Sequence, residues 1–108
     1  MSSIDYGHEQ FWKAVTGMAE STRTLRYRLC DAYVNNIAQV KDENVPEGSR
    51  SDLAKLRLML THKPARHSHE RACQSTIDQM TDDEAHEAAR LIMKLFDEID
   101  SHYREAHR

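Results

Sequence analysis

Histidine is the residue type whose placement most invites chemistry. The chain holds seven, and His62, His67 and His69 lie close together with Cys73 one turn beyond His69. Imidazole nitrogens and thiolates bind soft divalent metals, and positions i and i+4 share a helix face, so His69 and Cys73 form two ligands in want of a third. Asp5/His8 and Asp83/His86 are carboxylate-x-x-His pairs, loosely of the kind found in bundle metal sites, but those sites use Glu and need two further inward carboxylates. His62 falls in a turn ahead of Pro64, away from the His69/Cys73 face. The set reads as solvated or interface histidines, with Cys73 a small core residue, and no metal or cofactor is expected.

Charge is unevenly spread under a net of −3. Residues 50–71 carry six Lys/Arg against two Asp/Glu, whereas residues 72–108 carry four against nine. A helix, a turn at residues 61–64 and a second helix opening Ala65-Arg66-His67 give the basic stretch a helix-turn-helix outline, whose exposed N-terminal residues could reach phosphates or base edges. The acidic flanks repel phosphate, so a protein partner is the main reading, a DNA-binding regulator using residues 50–71 the alternative, and a small all-helical enzyme or metal-binding bundle the third. The basic segment is expected not to bind DNA with useful affinity, any binding being weak and steeply salt-dependent.

For catalysis, no Ser/His/Asp order, glycine-rich phosphate loop or H-E-x-x-H motif occurs. Thr61-His62-Lys63-Pro64-Ala65-Arg66, with Leu95-Phe96, resembles the later helices of the small all-helical chorismate mutases. That family's site needs several Arg and Lys around a dicarboxylate and an Arg-Glu pair early in this helix. Here the order is Glu70-Arg71, so the resemblance implies helical architecture and the activity is not carried over.

The elements that must position these residues are helices. Only three Gly and two Pro occur in 108 residues, which leaves few turns and long elements. From Phe11, positions Phe11, Val15, Met18, Thr22, Leu25, Leu29, Ala32 and Asn36 step by alternating fours and threes, a heptad seam. The spacing predicts one helix over about residues 4–41, capped by Ser2 or Ser3, roughly 55 Å long at 1.5 Å per residue. A helix of that length protrudes from a compact domain of about 13 Å radius of gyration unless it breaks near Gly17 or a second chain covers its seam. A homodimer is therefore expected, with Val15, Met18, Thr22, Leu25, Leu29 and Asn36 at its interface. A loop over 42–49 follows, then helices over about 50–62, 65–80 and 82–106. Ser49-Arg50-Ser51-Asp52 and Thr81-Asp82-Asp83-Glu84 read as capping boxes. The fold class is an all-α bundle of three to four helices in a single domain, with a long N-terminal helix.

Mean hydropathy is −0.80, and no run reaches the roughly 18–20 apolar residues a membrane helix needs. The start Met1-Ser2-Ser3-Ile4-Asp5-Tyr6 lacks a secretory signal's basic start and apolar run. Cys30 and Cys73 form no finger spacing, so free thiols in a cytoplasmic protein are expected. What remains is surface suited to protein contact. Trp12 is out of phase with the seam and should face solvent, and aromatics with Arg are the usual interface anchors. The expected function is a small regulatory or adaptor protein of the anti-activator or anti-sigma kind, contacting its partner through Trp12, Arg57, Arg66 and Arg71.

Overall fold

The long first helix does not form as one piece. A computed structural model describes residues 3–68 and 70–108, and in it α1 (Ser3–Glu20) ends before α2 (Leu25–Asn35) begins. The chain passes straight through Gly17 and turns instead at residues 21–24, Ser-Thr-Arg-Thr. Short hydroxyl side chains compete with the helix for backbone groups, and here the Ser21 hydroxyl accepts from the Arg23 N–H at 3.1 Å. Arg28 folds back to donate to the Met18 carbonyl at 3.2 Å, satisfying one of the acceptors left at the end of α1. Arg26 fixes the start of α2 by donating to the Met80 carbonyl and to Asp82.

This turn changes what covers the seam. Folded back, α2 packs against α1, so Phe11 and Ala14 of one arm and Leu29 and Ala32 of the other enter the same core. Part of the seam that sequence periodicity assigned to a second chain is thus covered by the chain itself. Leu29, expected at a dimer interface, is fully buried in the core of the single chain. Thr22 is exposed at the turn, and Asn36 is half-buried at the C-cap of α2 rather than set in a seam. Val15, Met18 and Leu25 are partly buried and pack on the core.

Beyond α2, residues 36–41 leave the helix expected there and residues 42–49 are not an irregular loop; the stretch holds three short 3-10 turns, Ile37–Gln39, Asp42–Asn44 and Glu47–Ser49. They bury Ile37, Val40 and Val45. Ser49 does not cap α3 (Arg50–Thr61) through its side chain; its hydroxyl donates to Glu98 at 3.0 Å. Leu53, Leu56 and Leu60 give α3 its buried face.

The helix expected over 65–80 shrinks to α4 (Ala72–Asp78). Ahead of it, Glu70 accepts from the Arg66 N–H at 2.8 Å as well as from its guanidinium, which holds that stretch in a turn instead of a helix. The second helix of the helix-turn-helix outline is thus missing at its N-terminal end. The last helix, α5 (Asp82–Ala106), follows the sequence reading closely. Its capping box forms, with Glu84 N–H to Thr81 Oγ1 at 3.1 Å and Thr81 N–H to Glu84 Oε1 at 2.9 Å. Ala85, Ala88, Leu91, Ile92, Leu95 and Ile99 are its buried side chains, and α5 is the spine on which α1, α2 and α3 pack. Among the described residues there are five α-helices and no strand, so the molecule is an all-α bundle. Among the described residues no helix is long and apolar enough to cross a membrane. The N-cap candidate Ser2 lies outside the described residues.

Candidate functional site

Helices α1 and α5 run antiparallel, and their contacts keep step: Trp12 meets Phe96, with ring centroids 6.2 Å apart, and His8 meets Asp100 four residues further along each. Positions 8 and 12 share one face of α1, and 96, 100 and 103 share one face of α5. Between them lies an open groove of about 840 Å³ lined by Asp5, His8, Glu9, Trp12, Phe96, Asp100, Tyr103 and Arg104.

Rings form its floor. His8 stacks on Tyr103, centroids 3.8 Å apart and planes 6° apart, and also lies 5.9 Å from Phe96. Tyr103 in turn meets His107 at 4.2 Å. The row therefore runs Trp12, Phe96, His8, Tyr103, His107. Trp12 is 56% exposed at one end, a large apolar surface in contact with water where most such surface is buried. Met93, three residues before Phe96 on the same face of α5, is 51% exposed.

Charged groups rim the floor. His8 Nε2 donates to Asp100 at 2.9 Å, and Arg104 donates to the other Asp100 oxygen at 2.8 Å. These two, His8 first, hold the Asp100 carboxyl below the usual carboxylate range against its partial burial. His107 Nε2 donates to Asp5 at 2.8 Å, and Lys13 pairs with Glu9 at 3.1 Å. Sequence spacing paired Asp5 with His8 along one helix; the structure pairs each of them with α5 instead.

Trp12 is exposed, as expected, but the arginines grouped with it do not line its groove. Arg57 donates to the Val40 carbonyl at 2.8 Å and to the Ala38 carbonyl, tying α3 to the preceding turns. Arg66 forks onto Glu70 and Asp78, an arrangement that pushes its own pKa up and holds the Glu70 carboxyl down at about 2. Arg71 stands exposed at the N-cap of α4. Two of the three arginines thus hold the chain's own backbone or carboxylates.

Of the histidine cluster, His62 Nδ1 donates to the Leu58 carbonyl at 3.1 Å, His67 lies 4.0 Å from Glu70, and His69 is outside the described residues. Among the described residues no group of three His, Cys, Asp or Glu side chains is placed to hold a metal. Cys73 is buried, and the neighbouring Cys30 thiol together with burial pushes its pKa up.

Sequence reasoning missed His8, Asp100, Tyr103 and Arg104 as neighbours of Trp12. A signal was there: the α5 stripe widens toward its end through Ala89, Phe96 and Tyr103, more apolar surface than one core face needs. No family model, curated protein or solved structure matches this chain.

Proposed function

We propose that this protein is a docking module that binds another polypeptide along the α1/α5 groove, with Trp12 as its anchor. The observation that supports this reading is a mostly exposed tryptophan heading a continuous row of rings. Aromatic anchors at the centre of a contact carry most of its binding energy, and a groove of this size receives several side chains at once. Action by sequestering a partner, in the manner of an anti-activator or anti-sigma protein of the cytoplasm, is the form this reading takes. It asks for a surface and no catalytic constellation.

Truncation of Trp12 separates docking from folding. Trp12→Ala should weaken capture of the partner from native lysate by more than about tenfold. Its own unfolding free energy should move by only about 0.5 kcal/mol, as for other surface substitutions. A partner retained undiminished by Trp12→Ala removes the anchor and with it this reading.

Self-association is proposed separately, on the half-buried Val15, Met18 and Leu25. Light scattering at micromolar concentration should return a dimeric mass that Leu25→Asp abolishes; a monomeric mass with intact helicity ends that proposal.

A further inference from the structure

Besides its rings, the groove has a sign. Three of its lining side chains are carboxylates, Asp5, Glu9 and Asp100, against one guanidinium, Arg104. Each carboxylate holds a cationic or protonatable side chain of the same molecule: His107 on Asp5, Lys13 on Glu9, and Arg104 with His8 on Asp100. Three of these partners stand well out in water, Arg104 at 78%, Lys13 at 53% and His107 at 47% exposure. The Lys13–Glu9 pair, exposed on both sides, is weak, and an incoming cation can replace Lys13 there at little cost. The ring faces are also negative. A guanidinium or ammonium laid over Trp12 or Tyr103 is attracted by the aromatic quadrupole. Carboxylate rim and aromatic floor therefore select the same ligand charge.

We propose that the α1/α5 groove receives a basic segment of its partner polypeptide, an Arg or Lys stem lying over the rings with its charge among Asp5, Glu9 and Asp100. The inference rests on the docking reading above and adds the partner's chemistry to it. Apolar neighbours of the basic residue would cover Trp12 and Met93. Acidic segments, by contrast, meet carboxylates on both walls.

The chain's single tryptophan makes the test direct, since its emission reports on this groove alone. Three synthetic amphipathic peptides of equal length serve as probes: Leu with Arg and Lys, the same peptide with Gln in their place, and the same with Glu. The basic peptide should shift Trp12 emission saturably, bind at least about tenfold more tightly than the Gln peptide, and weaken as salt is added. Glu9→Gln, which breaks only an exposed pair with Lys13, should lower affinity for the basic peptide roughly two- to fivefold and leave the Gln peptide unaffected. Glu87→Gln removes a carboxylate that lies beside Lys55 in a separate groove, and should change nothing.

Equal binding of the basic and Gln peptides overturns the charge preference while leaving the docking reading in place. Tighter binding of the Glu peptide overturns it in the same way. An equal loss in Glu87→Gln and Glu9→Gln shows attraction to general acidity and also overturns it. Failure of every peptide to move Trp12 emission counts against both the inference and the groove itself.

Discussion

Gly7 lies where α1 crosses the turn at Asp42–Asn44. A Cβ built on Gly7 would overlap the Asn44 carbonyl oxygen and stand 3.3 Å from the Asn44 Cβ. Asn44 is itself held, its amide donating to the Ser3 carbonyl at 3.1 Å and its side-chain oxygen accepting from the Lys41 N–H at 2.8 Å. With backbone as the obstacle, neither side can yield cheaply. Gly7→Ala should therefore cost about 1–3 kcal/mol in urea unfolding, although alanine is the better helix former. Gly17 has nothing within 4 Å of such a Cβ, and Gly17→Ala should gain about 0.5–1 kcal/mol. Asp100 sets an acid limit. Its folded pKa is depressed, so the stabilisation is present above the unfolded carboxylate value of 3.8 and is lost as pH falls through the lower folded value. Asp100→Asn should be less stable than wild type at neutral pH and should lose less on acidification. Thermal melting over that pH range checks both; parallel acid limbs for the two proteins would remove Asp100 from this role.

At the scale of elements, caps and turns decide where helices begin and end. Thr81 and Glu84 satisfy each other's backbone donors at the start of α5, and the N-terminal dipole favours Asp82, Asp83 and Glu84 in its first turn. Thr81→Ala should destabilise by about 1 kcal/mol in urea unfolding, with Thr81→Ser retaining most of the effect. The turn at residues 21–24 carries a comparable consequence for topology. Ser21, Thr22 and Thr24 are poor helix formers, but poor propensity alone does not stop a helix. The stop gains its stability from what it allows, namely packing of α2 against α1 and the hydrogen bonds of Arg26 and Arg28 at the corner.

On the scale of the whole molecule, core closure brings Cys30 of α2 against Cys73 of α4. Both thiols are buried, and the neighbouring Cys30 thiol and burial raise the pKa of Cys73, which favours its protonated form. Iodoacetamide should leave both unmodified in the native protein and label both in urea. Their labelling rate at rising denaturant should follow global unfolding. Fast native labelling of Cys73 alone would mean that α4 opens independently of the rest.

Local and periodic features of this protein could be read from its residues in one dimension. The helical class follows from the scarcity of Gly and Pro and the absence of strand alternation. The bounds of α3 and α5, the Thr81 cap and the exposure of Trp12 follow from spacing, because each depends on residues within a turn or two of one another. Tertiary structure decided the rest. The heptad from Phe11 to Asn36 states which face must be covered but not what covers it, and a turn of four residues let the chain cover itself. The pairs that build the groove, His8 with Asp100 and Asp5 with His107, are 92 and 102 residues apart in sequence. No periodicity links such positions. They meet because α1 and α5 bury their apolar stripes against a common core, and the polar and aromatic residues at the stripe edges are carried together with them.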